Sequence, residues 1–310
     1  MKSTRQLLEL ESQYTSLLLD LIEQKALNGP RTYGFEYEFI SAHTLNLQLM
    51  EEIYRFLPKT GFVPDEGRFT HSSGTYITFE PGGQIEYHST PILPEDNETV
   101  NRTLALMEKT NARIYQELGI EYLARGYVAG RRDAPLCLVS KRYRDLHSLM
   151  PKSGSRGLEM MKGTASVHLH VVIRNLRELA PLFSFLCEIS LMEEFKMQHD
   201  RREIWDNTDP SRCGLPLRGI GKDSNPRRAV EELVKFALKA HDISSGKPFY
   251  RTDPSSFEGF IYHMTTIFTD VRLNLKGPSV ELRTLDSMAF SEFREKWNKF
   301  ISLSEQIPKP

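Results

Sequence analysis

The chain has 310 residues, 39% of them hydrophobic and 26% charged, which supplies enough Leu, Ile, Val and Phe to bury a core and excludes wholesale disorder. Lysine and arginine together number 40 against 41 acidic residues, a formal net charge of -1, so no global field draws the chain to nucleic acid or to an anionic membrane. Cys137, Cys187 and Cys213 are too few and too scattered for a disulfide framework, lack CxxC spacing, and read as buried thiols.

Residues 4–26 carry leucines at helical spacing and predict a first helix. Glu9, Glu11, Asp20 and Glu23 break its apolar run, so it reads as neither a signal peptide nor a membrane span, and the expected location is the cytoplasm. The stretch FEYEF, Phe35 to Phe39, alternates aromatic and acidic residues one for one; as a strand it turns Phe35, Tyr37 and Phe39 to one face and Glu36 and Glu38 to the other. Residues 45–56 read as a helix, and TYITFE and QIEYHS flank Pro81-Gly82-Gly83 as a hairpin. Pro94, Glu95 and Asp96 open a long helix that Gly119 closes, after which IEYLARGYV alternates as a strand. RYRDLHSLMPKSGSRGLEMM shows little periodicity and reads as a functional loop; TASVHLHVVI then alternates strongly. Helices are expected over 176–199, 226–240, 255–264 and 291–303, with a strand over 280–284.

Buried parallel strands are apolar throughout, whereas these are amphipathic. An antiparallel sheet with one polar, working face is therefore expected, its polar strands lining one concavity if the sheet curls. Gln84, Glu86 and His88 share one strand face, as do Ser166, His168 and His170, and Ser279, Glu281 and Arg283. Singly, each ladder is explained by solvation or by a surface ion pair worth little. Together with Glu36 and Glu38 they compose an oxygen-rich ligand set for magnesium or manganese, with an imidazole suiting the latter and an arginine beside transferring phosphate. No GxxxxGK[ST] or GxGxxG occurs, so a nucleotide would be held by metal and side chains.

FEPGGQIEYHS, MPKSGSRGLEMMKGTAS, IWDNTDPSRCG, FEGFIYHMTTIFTDVRL and VELR follow one another in an order and character that resembles the proteobacterial and plant type of glutamate-cysteine ligase, related to the ligases of ergothioneine synthesis. The likeness runs from about Gly34 to Arg283. It implies an α+β fold, a curved, mainly antiparallel sheet with a concave active-site face and helices packed on the outside, as a glutamine synthetase-like catalytic core occupying 1–310 as a single domain, with an N-terminal helix in 1–30 and a C-terminal helix in 285–310. It also implies ATP, Mg2+ with Mn2+ as an alternative, and ligation of the glutamate side-chain carboxylate to an amine such as cysteine through a phosphorylated intermediate. Carried onto this sequence, Glu36, Glu38, Glu86, Glu281 and His168 become metal ligands, and Arg283, Glu281 and Glu38 the catalytic set. Gln84, His168, His170, Arg212, Arg272 and Lys152 become substrate or nucleotide contacts, while Glu80 stays open because its face depends on a regular hairpin. The histidines of VHLH stand where many members have glutamine and asparagine, which leaves the amine acceptor open. A non-catalytic metal- or nucleotide-binding relative is the alternative reading, and a homo-oligomer or a partner subunit completing the site is compatible with either; no nucleic-acid or membrane partner is expected.

Overall fold

Alternation with a period of two gives each strand one apolar side, and strands that share a need to cover that side assemble into one sheet. The computed structural model describes residues 2–26, 29–214, 219–252 and 256–307. The first half of the chain runs α1 (Lys2–Lys25), β1 (Tyr33–Ser41), α2 (Leu47–Phe56), β2 (Phe62–Asp65), β3 (Arg68–His71), β4 (Tyr76–Phe79), β5 (Ile85–His88), α3 (Asn97–Leu118) and β6 (Tyr122–Leu123). The second half runs α4 (Lys141–Ser153), α5 (Gly157–Gly163), β7 (Ser166–Val172), α6 (Leu179–Ile189), α7 (His199–Asp206), β8 (Cys213–Gly214), α8 (Pro226–Lys239), α9 (Phe257–Met264), β9 (Phe268–Thr269), β10 (Val271–Asn274), β11 (Ser279–Asp286) and α10 (Phe290–Ser304).

The main sheet has the order β10-β11-β7-β1-β5-β4-β3-β2, with β6 on the end of β1. Every pairing in it is antiparallel. The fold is thus the expected α+β arrangement. Its apolar face carries Phe35, Tyr37, Tyr87, Leu169 and Leu282, all essentially inaccessible, and α10 covers the middle of it. Phe293 and Trp297 of α10 meet Phe35 edge-on at centroid distances of 4.9 and 5.3 Å, and Phe290 meets Tyr37 at 5.5 Å. Such geometry adds to the burial term itself.

Local signals set the element starts. Asn46 Oδ1 accepts from the Leu49 amide at 2.9 Å to open α2, and Asp96 Oδ1 accepts from the Thr99 amide at 2.9 Å to open α3. The β4–β5 turn needs its glycines: Gly83 sits at φ 84°, and a Cβ on Gly82 would lie 2.5 Å from the Lys162 carbonyl oxygen.

Several expectations are corrected. The stretch expected as a loop over 142–161 is largely helical, because Leu146, Leu149 and Met150 make a short buried stripe on α4, and Met160 and Met161 another on α5. The single helix expected over 176–199 is divided: α6 stops at Ser190, whose hydroxyl donates to the Cys187 carbonyl at 2.7 Å, and turns then bring Phe195 and Met197 into the interior. The strand expected from IEYLARGYV shrinks to Tyr122–Leu123, since only these pair with Ser41 and Ile40. The expected start of α9 at residue 255 lies outside the described residues. Strands β2, β3, β8, β9 and β10 were not anticipated.

Trp297 is 2% exposed and touches the rings of Tyr33, Phe35 and Phe300. Trp297→Ala is expected to lower the unfolding free energy by about 3–5 kcal/mol in urea titrations; a loss below about 1 kcal/mol would show that α10 does not seal this face.

Candidate active site

β1 is central, so the acids of FEYEF have neighbours on both sides. Glu36 stands opposite His88 of β5 and His168 of β7, and Glu38 opposite Glu86. Further out, His170 stands opposite Glu281, which stands opposite Arg272 of β10. On the other flank, Thr78 and Tyr76 of β4 stand opposite Glu86 and His88. Paired residues of an antiparallel sheet point the same way, so these side chains form one continuous polar face from β10 to β4.

The face is the floor of a cleft of about 600 Å3, lined by Glu36, Glu38, Glu86, His88, His168, Arg272 and Arg283 below. Its walls include Tyr143 and Leu146 of α4, Met160 and Met161 of α5, Trp205 of α7 and Tyr262 of α9. Glu281 and His170 lie beneath this lining, 0% and 9% exposed. An apolar rim over a few convergent charges is the usual make-up of a small-molecule site.

Glu36 is the hub. Its Oε2 lies 2.7 Å from His168 Nδ1, and its Oε1 lies 3.3 Å from His88 Nδ1 and 3.5 Å from His170 Nε2. His88 Nε2 lies 3.1 Å from Glu86 Oε2, which also accepts from the Thr78 hydroxyl at 2.6 Å. Glu38 Oε2 accepts from the amide and hydroxyl of Ser166 at 2.6 and 3.0 Å. Arg272 grips Glu281 with two guanidinium nitrogens at 2.8 and 3.0 Å, and Arg283 donates to the same carboxylate. Two guanidiniums on one carboxylate leave a net positive charge at this end of the cleft.

Charge follows from these contacts. Burial pushes the Glu36 carboxyl up, but His170, His168 and His88 together hold it well below the usual range. Glu281 is likewise opposed by burial, and Arg272 and Arg283 bring it from 4.5 to about 2. Burial pushes Glu86 up, but the charge and hydrogen bond of His88, with His168 beyond it, bring it below the usual range. Glu38 is raised by burial, and Glu80 is raised well above the usual range by burial and then by Glu86 and Glu38. Burial lowers His88, yet Glu86 and Glu36 carry it to about 10.

Among the described residues two groupings have the spacing for a metal ion: Glu36, His170 and Glu281, and Glu36, Glu86 and His168, in each of which the donor atoms lie within 4.8 Å of one another. Carboxylate and imidazole donors fit the divalent cations expected from the sequence.

The sequence-derived residues Glu36, Glu38, Glu86, Glu281, His168, His170, Arg272 and Arg283 therefore come together. Gln84 borders the cleft, but its amide is committed: Oε1 accepts from the Gly82 amide at 2.8 Å, and Nε2 donates to the Thr164 and Met161 carbonyls at 2.9 and 3.2 Å. Arg212 is fully buried away from the cleft lining, bound to Asp209 at 2.7 Å, to Thr266 at 2.9 Å and to the His241 carbonyl. Lys152 sits exposed on the last turn of α4, outside the lining. Glu80 does line the cleft. Sequence reasoning passed over His88 as a site residue, although its parity with Glu86 places it on the polar face; its ring stacks on Tyr76 at 4.2 Å. It also missed Arg142, which lines the cleft with its guanidinium on the Thr265 hydroxyl and carbonyl at 2.6 and 2.9 Å. No signal marked that residue once α4 was read as a loop.

Residues 32–188, just over half of the chain, match the model of glutamate-cysteine ligase family 2 (GCS2). The chain belongs to this family, whose members are ATP-dependent ligases that use divalent metal. It is 30% identical over 238 residues to the chloroplastic glutamate-cysteine ligases of Solanum lycopersicum and Nicotiana tabacum, matches that take in 64% of this chain and 43% of each relative. The Arabidopsis thaliana enzyme is 29% identical over 233 residues, again 64% of this chain and 43% of the relative. The chain thus spans less than half the length of these curated relatives within the matched region. No described helix is long and apolar enough to cross a membrane.

Because the Glu281 carboxyl is held at about 2 in the folded chain against an ordinary 4.5, its contribution to stability is full above about pH 5 and is lost as pH falls toward 2. Denaturant midpoints measured from pH 6 to pH 2.5 are expected to fall steeply, and Glu281→Gln should flatten part of that fall; an unchanged slope would mean that Glu281 is not held by the two arginines.

Proposed function

We propose that this chain carries the catalytic core of an ATP-dependent carboxylate-amine ligase that makes a γ-glutamyl amide. The observation that carries the reading is the convergence of Glu36, Glu38, Glu86 and Glu281 with Arg272 and Arg283 on one concave face. Membership of the glutamate-cysteine ligase family supports the same reaction class.

A carboxylate is a poor acyl donor. Transfer of the terminal phosphoryl group of ATP to the glutamate side-chain oxygen yields ADP and an acyl phosphate; attack by an unprotonated amine then forms the C–N bond, expels phosphate and releases a proton. Neither step needs an enzyme nucleophile, so positioning and charge stabilisation supply the catalysis. Glu36, Glu38, Glu86, Glu281 and His168 would hold divalent cations, which when bound neutralise phosphate charge. Arg283 and Arg272, sharing Glu281 between them, have guanidinium charge left over for phosphoryl oxygens. The apolar side chains of Tyr143, Met160, Met161 and Trp205 border the cleft, where a bound substrate packed against them would shield an acyl phosphate from water. Arg212 and Lys152 are left out of this assignment by their positions, and Gln84 acts by tying the β4–β5 turn to the segment before β7.

Incubation with ATP, Mg2+ or Mn2+, glutamate and a panel of amines that includes cysteine is expected to give ADP and amide in equal amounts, dependent on both glutamate and amine. ADP release that ignores the amine would point to a phosphohydrolase. Nucleotide binding with no turnover for any amine would favour a non-catalytic relative. Glu38→Gln keeps an acceptor for Ser166 and should preserve the circular dichroism spectrum while lowering kcat on the order of 100-fold or more; retained activity would remove Glu38 from the site.

A further inference from the structure

We infer that Arg201, which does not itself line the cleft, is a positioning residue for the ligase reaction: its guanidinium holds the backbone kink from which Arg283 is aimed at phosphoryl oxygens. The inference deepens the proposed ligase function and rests on Arg283 being its phosphate contact.

Arg283 has one side-chain anchor: Nη1 donates to Glu281, while Nε is buried without a partner. The rest of its direction comes from the backbone of β11. Between Leu282, which pairs with Leu169, and Leu285, which pairs with Val167, β11 advances three residues while β7 advances two. The extra residue is a β-bulge. In a regular strand Arg283 and Leu285 would share a face; here Leu285 is 2% exposed within the main core while Arg283 lines the cleft. The bulge lets one strand serve both.

A bulge interrupts the ladder, so its backbone groups need partners from elsewhere. Arg201 of α7 supplies them. It is 0% exposed; Nη2 donates to the Arg283 carbonyl at 2.6 Å, and Nη1 donates to the Leu285 carbonyl at 2.7 Å and to Asp286 Oδ1 at 2.8 Å. The Arg283 amide in turn donates to the Asp270 carbonyl at 2.9 Å, and the Asp270 carboxylate is paired with Arg202, the next residue of α7. Neighbouring arginines of one helix thus fix Arg283 on both sides of its Cα. A planar guanidinium meets three acceptors at set angles, whereas a lysine ammonium on a flexible stem has no such fork. The Arg201 guanidinium also lies 5.3 Å from the ring centroid of Trp205, so the same group braces a side chain that borders the cleft.

The test compares Arg201→Lys, Arg283→Lys and the double variant in the full chain. Arg31→Lys is the control, since Arg31 is 2% exposed, bonds the Ser304 carbonyl and Glu178, and lies outside the cleft lining. ATP affinity is read by calorimetry with Mg2+ and without glutamate or amine, and kcat by amide formation. Arg201→Lys is expected to weaken ATP binding about 10-fold and to lower kcat about 100-fold, while the KM for glutamate stays within about threefold. In the Arg283→Lys background, Arg201→Lys should cost less than about threefold more in either quantity. Arg31→Lys should lower the urea midpoint and leave both unchanged. Full additivity of the two substitutions, an Arg201→Lys chain that matches the parent, or an equal loss in Arg31→Lys would each overturn the inference. If Arg201→Lys does not fold, Asp286→Asn, which loosens the hold on Nη1 yet keeps an acceptor, takes its place in the same cycle with about threefold losses expected, and additivity there overturns the inference equally. Non-additive ATP affinities in a chain that forms no amide would sink the ligase reading alone. Amide formation that Arg201→Lys leaves untouched would sink this inference alone, and a parent chain that binds no ATP would sink both.

Discussion

A carboxylate in the middle of a buried sheet face has to be compensated, and Glu36 is such a group. Its two oxygens are approached by His88, His168 and His170 from the strands on either side, at 2.7 to 3.5 Å. Desolvation of an isolated charge costs several kcal/mol, so the group persists only where opposite charge and hydrogen-bonded neighbours are built around it. The polar face of this protein is that compensation extended outward: histidines around Glu36, serine and backbone amide on Glu38, and two arginines on Glu281.

The same constraint explains the architecture. One side of β1 carries Phe35, Tyr37 and Phe39 against α10, so its other side is committed by the pleat to Glu36 and Glu38. A register slip of one residue would send these acids into the aromatic layer. The antiparallel neighbours β5 and β7 supply glutamate and histidine at matching positions, and the helices beyond them close an apolar rim above. Binding chemistry and fold specification thus draw on one pattern. The register of β11 shifts between Leu282 and Leu285, around Arg283, and there Arg201 donates to the Arg283 and Leu285 carbonyls.

Much of this was legible because alternation declares a strand and its faces together: β1, β5, β7 and β11 could be read from FEYEF, QIEYH, SVHLH and VELR. Their pairing order could not, since hydrogen-bonded neighbours such as His170 and Glu281 are far apart in sequence. α4 and α5 were obscured by Pro151, Gly154 and Gly157, which punctuate a short apolar stripe. β2 and β3 form a small edge hairpin with Pro64 within it, so their alternation is too brief to register. Arg212 misled because an arginine in a polar loop resembles a ligand contact, whereas here it ties Asp209, Thr266 and His241 together. Gln84 misled for a similar reason, its amide being spent on backbone groups.

This account rests on the acids of three separate strands, β1, β5 and β11, forming one cation-binding centre with Arg283 beside it. Anomalous diffraction at the manganese edge, from crystals grown with Mn2+ and a non-hydrolysable ATP analogue, locates the ions directly. The account predicts peaks about 2.1–2.4 Å from a Glu36 oxygen, bridging toward Glu86 or Glu281, with the terminal phosphate turned to Arg283. Nucleotide and ions bound elsewhere, with Glu36 still held only by its histidines, would contradict it.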